Sequence, residues 1–305
     1  MQLRVLGSSA GGGFPQWNCN CPQCDGVRQG RVRATPRTQS SVAVSADGRD
    51  WLLINASPDI LTQIRATAQL QPARALRDSG IAAVLLMDAQ IDHTAGLLML
   101  RERRSPLPLL ATREVLAELE DSLPLTRVLS HYCGVAPHVL PLDGSRFSVP
   151  GLPGVVVQAL ALSSSPPPYS PHRSAPRPGD NIGVLLHNPA TGARIFYAPG
   201  LGALTPELLE LLASCSAVLV DGTFWSADEM QRLGLGTRSA ADMGHLPQSG
   251  PGGMLEHLAR LPASVRKVLI HINNTNPILI EDGAERAALA ACGVEVAHDG
   301  MTIEF

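Results

Sequence analysis

The strongest constraint on the fold is a repeating alternation of short apolar runs, rich in leucine and β-branched residues, with stretches of helical spacing. The runs include 3–7 (LRVLG), 41–46 (SVAVSA), 51–56 (WLLINA), 82–87 (AAVLLM), 155–160 (VVVQAL), 181–187 (NIGVLLH), 194–199 (RIFYAP), 217–222 (AVLVDG) and 267–272 (KVLIHI). Many are apolar at consecutive positions, as in strands covered on both faces. Residues 57–70, 94–102, 112–122, 205–215, 249–261 and 282–292 read as helices, and Thr205-Pro206 is a cap followed by proline at the first helical position. The expectation is an α/β fold with functional residues on loops leaving strand ends.

No repeat or second composition regime divides the 305 residues, so one domain over 1–305 is the economical reading. Residues 163–180 (SSSPPPYSPHRSAPRPGD) break the rhythm: they lack apolar periodicity and read as a long loop, either a functional lid or disordered. A formal charge of -3 without a basic block argues against a nucleic-acid partner. No apolar run reaches the roughly 18 residues of a membrane span, and the start MQLRVLGSSAGGGF lacks signal-peptide character. A cytoplasmic protein with reduced thiols is expected.

Cys19, Cys21 and Cys24 form a CxCxxC cluster in NCNCPQCDG. Three thiolates this close suit structural Zn(II) if a fourth ligand arrives from elsewhere. A redox pair is less suited to this loop, and a chance cluster is the bland alternative. Cys133, Cys215 and Cys292 are scattered and read as packing residues.

The segment MDAQIDHTAG follows one predicted strand and precedes a helix, gathering Asp88, Gln90, Asp92 and His93 at the carboxyl end of that strand. This pattern resembles the HxHxDH signature of the metallo-β-lactamase superfamily, in which the first two histidines serve one metal and the Asp-His pair a second. The resemblance covers nearly the whole chain and implies an αββα sandwich. It also sorts the ligands by metal. At first-metal positions stand Asp88, Gln90, Ser163 or Ser164, and Pro199; at second-metal positions stand Asp92, His93 and His271. Two histidines and a carboxylate with open positions suit Fe(II) and dioxygen. A mononuclear Zn(II) hydrolase uses similar ligands.

INASPDI, YAPG, LVDGTFW, MGHLPQSG, HINNTNPIL and VAHDGM, together with the two clusters above, are similar to the coenzyme PQQ synthesis protein B family. That resemblance implies a role in making pyrroloquinoline quinone (PQQ). The activity would be iron-dependent hydroxylation of the tyrosine ring of a linked glutamate–tyrosine precursor, with dioxygen as co-substrate. The alternatives are a carrier that assists transport of PQQ, and a mononuclear zinc hydrolase. By analogy with hydrolases of the superfamily, Asp221 and His245 would form an acid/base dyad. The fourth zinc ligand is expected among Asn274, Asp25 and His298, with related phosphodiesterases favouring the Asn274 position. No further organic cofactor is expected, and self-association is left open.

Overall fold

The computed structural model describes residues 1–305. The strands of the first half are β1 (Gln2–Gly7), β2 (Ser41–Ser45), β3 (Trp51–Ile54), β4 (Ile81–Leu85), β5 (Leu107–Ala111) and β6 (Val135–Val139). Those of the second half are β7 (Phe147–Ser148), β8 (Val156–Ala161), β9 (Ile182–His187), β10 (Arg194–Ala198), β11 (Ala217–Asp221), β12 (Arg266–Ile270) and β13 (Val294–Val296). A last strand, β14 (Thr302–Glu304), returns to the first sheet. The sheet orders are β14-β1-β2-β3-β4-β5-β6 and β13-β12-β11-β10-β9-β8-β7. Strands β3 to β6 are mutually parallel, as are β10 to β13, and the remaining pairs are antiparallel.

The side-chain period of two explains why the strands read as continuous apolar runs. Leu52 and Ile54 of β3 point inward, into a central core shared with Leu219, Val268 and Ile270 of the other sheet. Their neighbours Trp51 and Leu53 point outward and pack with Ile60, Leu70, Val115 and Leu119. On the second sheet Val218 and Val220 point outward against Leu208, Leu212, Met254, Leu258 and Leu289. The result is an αββα sandwich with an apolar layer on each side of each sheet.

The helices are shorter than the sequence pattern suggests. They are α1 (Pro22–Arg28), α2 (Ile60–Ala66), α3 (Ile91–Thr94), α4 (Arg113–Asp121), α5 (Leu125–Leu129), α6 (Pro206–Ala213), α7 (Glu229–Arg232), α8 (Met254–Leu258) and α9 (Ala284–Ala291). The 94–102 stretch is a 3-10 turn over Ala95–Leu100 rather than an α-helix. Here the chain passes so close to the loop after β3 that a Cβ on Gly96 would stand 2.1 Å from the Ser57 carbonyl oxygen. Glycine is the residue that permits this approach.

Residues 163–180 contain no helix or strand, yet they pack on the body of the protein. Pro166 and Pro167 are buried. The Tyr169 hydroxyl donates to the Ala89 carbonyl, and the Ser170 hydroxyl to the buried Glu118 carboxylate. The segment therefore straps the end of the sandwich where β4 runs out. At the same end, single bridges join Ser9 to Ile272 and Asp88 to Asn181. No helix is long and apolar enough to cross a membrane.

Candidate metal centre

Asp92 and His93 lie on α3, just beyond β4, while Asp221 ends β11 and His271 directly follows β12. These are carboxyl ends of parallel strands from both sheets, where side chains of different elements converge. His271 holds a left-handed backbone (φ 60), which turns its ring back across the end of the sandwich. Such a conformation is uncommon for a residue other than glycine and recurs at functional sites. Gly11, in the glycine-rich turn after β1, lies against Asp92: a Cβ there would stand 3.2 Å from Asp92 Oδ2.

Asp92 Oδ2 lies 3.4 Å from His271 Nε2 and 3.8 Å from His93 Nε2. Donors about 2.1 Å from a shared ion stand roughly 3.0–3.4 Å apart, so the three atoms are near the separations a metal requires. His93 Nε2 is fully buried without any hydrogen-bond partner in the chain. An orphaned buried ring nitrogen facing a carboxylate and a second imidazole fits the donor set of a metal ion. Burial would raise the Asp92 carboxyl, but the His93 and His271 imidazoles hold it well below the usual carboxylate range. Burial works against a charge on His93, yet the Asp88 and Asp92 carboxylates push its imidazole up to about 9.

Both histidines are fixed with Nε2 toward this point. His93 Nδ1 donates to Asp88 Oδ1 at 2.8 Å. His271 Nδ1 lies 3.0 Å from Thr223 Oγ1, whose own proton goes to the His271 carbonyl at 3.0 Å. With its proton on that carbonyl, the threonine oxygen is placed to accept from Nδ1–H. With Nδ1 occupied in each ring, Nε2 is the nitrogen that would ligate a metal once its proton is displaced. Asp88, in a position where the superfamily signature has a metal-binding histidine, instead orients the surviving ligand. It also accepts from the Gln90 backbone at 2.9 Å and from Asn181 Nδ2 at 3.3 Å.

Asp221, His245 and His271 also present ligand atoms close together. Asp221 is already engaged by three donors, however: Oδ2 accepts from His245 Nδ1 at 2.6 Å and the Leu201 backbone at 2.9 Å, and Oδ1 from the Thr223 backbone at 2.9 Å. Burial opposes both charges of this pair. The His245 imidazole nevertheless keeps the Asp221 carboxyl below its ordinary value, and Asp221 pushes His245 up. The arrangement orients His245 and leaves its Nε2 free of Asp221. The His245 ring stacks on His271, centroids 5.7 Å apart and planes 23° from parallel.

Asp88, Asp92, His93, His245 and His271 line a cavity of about 260 Å³ together with Gln90, Ser164, Ser165, Asn181, Asn273, Arg173 and Arg238, while Asp221 lies buried behind His245. A larger groove of about 730 Å³ lies at the amino ends of β4 and β5, lined by Arg74, Arg77, Arg103 and Arg104. That groove contains no histidine or cysteine, so the chemistry points to the smaller cavity. Asp88 and Thr223 as orienting groups are not legible in the sequence, because their roles are set by contacts. Asp88 is visible there only as a missing histidine.

The three cysteines form a second cluster, with sulfurs within 4.8 Å of one another and all three residues buried. Cys21 caps α1, which is why CxCxxC brings Cys24 back beside it one turn later. Burial pushes the Cys21 thiol up to about 12. Of the three candidates for a fourth ligand, Asn274 faces the sulfurs. Its backbone oxygen is 3.5 Å from Cys21 Sγ, and its side-chain amide is 3.4 Å from Cys24 Sγ. Asp25 is turned to Arg31, and His298 to the Asp299 carbonyl.

Comparison with known proteins agrees with this architecture. Residues 50–272 match the beta-lactamase superfamily domain. The chain is 64% identical over 301 residues to coenzyme PQQ synthesis protein B of Cupriavidus necator, covering 99% of this chain and 98% of that one. It is 61% identical over 305 residues to the protein of the same name from an Azoarcus species, with full coverage of both. The crystal structure of Zn(2+)-bound PqqB from Methylobacterium extorquens superposes with a TM-score of 0.91 at 40% identity, again over the full length of both chains. A diphosphatase of the PhnP family shares the fold alone, with a TM-score of 0.68 at 18% identity over 100% of this chain and 96% of that one. The chain belongs to the coenzyme PQQ synthesis protein B family, within the beta-lactamase superfamily.

Proposed function

We propose that this protein acts in PQQ biosynthesis as a mononuclear iron hydroxylase, adding oxygen to the tyrosine-derived ring of a linked glutamate–tyrosine precursor. The observation that carries this reading is the use of Asp88. Its carboxylate is committed to His93 Nδ1, which supports one well-oriented two-histidine, one-carboxylate set rather than a damaged pair of sites. Asp92, His93 and His271 would hold the ion. Ferrous iron, when bound by such a set, supplies dioxygen activation at its open positions. Structural zinc would be held by Cys19, Cys21 and Cys24, with Asn274 as the fourth residue.

The chain's own residues divide the remaining work. Asp88 and Thr223 hold the two imidazoles in the ligating tautomer. Asp221 holds His245 through Nδ1, so that Nε2 is free to take or return a phenolic proton. The 163–180 strap closes one side of the cavity and limits water there. Hydroxylation places one atom of dioxygen in a ring C–H bond and releases the other as water, drawing two electrons from an external reductant.

The test is anaerobic reconstitution with either Fe(II) or Zn(II), followed by addition of precursor, reductant and dioxygen. Ring-hydroxylated product with iron and dioxygen only is the expected result. Equal turnover with Zn(II), or without dioxygen, would support a zinc hydrolase instead. Stoichiometric binding of PQQ without turnover of the precursor would support a carrier.

A further inference from the structure

Two arginines face the cavity beside the histidines. Arg173 comes from the strapped 163–180 segment and Arg238 from the loop after α7. Their side chains hydrogen-bond only to backbone carbonyls, Arg173 to Pro166 and Arg238 to Asp242. The nearby Asp242 carboxylate accepts from the Ser239 backbone at 2.8 Å and makes no ion pair with Arg238. Burial and the charge of Arg238 both lower the Arg173 pKa, so the two guanidiniums lie close enough to feel each other.

A guanidinium carries five donors in a fixed fork, and one carbonyl leaves most of them free. Two such forks in one small cavity, with neutral Ser164, Ser165 and Asn273 around them, match carboxylates better than a neutral ligand. The metal set provides a separate wall of the same cavity. We propose that Arg173 and Arg238 bind the carboxylates of the substrate and so hold its ring toward Asp92, His93 and His271. This rests on the cavity being the site of the proposed hydroxylation and adds that the precursor is held there through free carboxylates. The Pro/Ser-rich segment then carries one arm of the clamp, anchored by Tyr169 and Ser170.

The test uses the Zn(II)-loaded full-length protein, so that binding is measured without turnover. The probes are the cross-linked glutamate–tyrosine amino acid and its carboxyl methyl esters, titrated by calorimetry. The parent protein should bind the acid at least about tenfold more tightly than the ester. Arg173→Gln and Arg238→Gln should each weaken the acid by about 10- to 100-fold and leave the ester unchanged. Arg173→Lys should recover part of the loss. Absence of an acid preference in the parent overturns the proposal. So does an equal fall for acid and ester, which would mark Arg173 as a loop anchor only, or an unchanged affinity in both glutamine variants. Failure of the hydroxylase reading is separable: the acid preference would persist while no oxygen-dependent product formed.

Discussion

Replacing Asp88 tests the proposal that the active centre holds one metal through an oriented His93. Asp88 Oδ1 accepts from His93 Nδ1 at 2.8 Å, both side chains are buried, and no other group in the chain satisfies that nitrogen. Loss of such a partner typically weakens metal binding by about 10- to 100-fold, equivalent to about 1.4–2.7 kcal/mol. Asp88→Ala removes the acceptor altogether and should lie near the upper end. Asp88→Asn keeps a neutral acceptor, which is worth about half a charge-assisted one, and should lie near the lower end. The assay is anaerobic Fe(II) titration against a competing chelator, after the cysteine cluster has been filled with Zn(II). Melting of each variant before iron addition separates ligand orientation from general unfolding. A well-folded Asp88→Ala protein that binds iron within about twofold of the parent would refute the argument that Asp88 orients His93.

Cys21→Ser should lower tightly bound zinc and reduce stability, because the sulfur that would ligate the ion also caps α1; metal analysis and thermal melting provide the check. His245→Asn should leave iron affinity intact while slowing turnover by about 10²- to 10⁴-fold, measured with saturating iron. Gly96→Ala should destabilise the protein by about 1–3 kcal/mol, because the new methyl meets the Ser57 carbonyl; denaturant unfolding would expose a smaller effect. Anomalous scattering from metal-soaked crystals should show a single ion among Asp92, His93 and His271, and a second ion about 3.5–4 Å away would return the site to the dinuclear class.

Most core strands were legible because both of their faces are covered, which writes their positions as unbroken apolar runs such as WLLI and AVLV, but the buried β5 (LPLLA), interrupted by Pro108, was not legible as a strand. Strands β6 and β7, by contrast, are edge-placed and half exposed, β7 has only two residues and β6 carries a proline, so neither wrote an apolar run. At the C-terminus, β13 and β14 have three residues each, too few for periodicity to speak. The candidate ligands Asp92, His93 and His271 could be named because they occupy motif positions, and the structure brings their donor atoms together. Thr223 could not, since its role follows from one hydroxyl proton being committed to the His271 carbonyl. Residues 163–180 could be recognised as irregular but not as packed. The anchors are Tyr169 on Ala89 and Ser170 on Glu118, both about 50 to 80 positions away in sequence.

The origin of the oxygen atom in the product tests the hydroxylase assignment most directly. Iron-reconstituted protein, given precursor and reductant under ¹⁸O-labelled dioxygen, should form product carrying label in the ring hydroxyl, while labelled water alone should leave that position unlabelled. Product whose new oxygen comes from water, formed equally with Zn(II) in place of iron, would contradict the hydroxylase assignment and make the same three ligands those of a hydrolase.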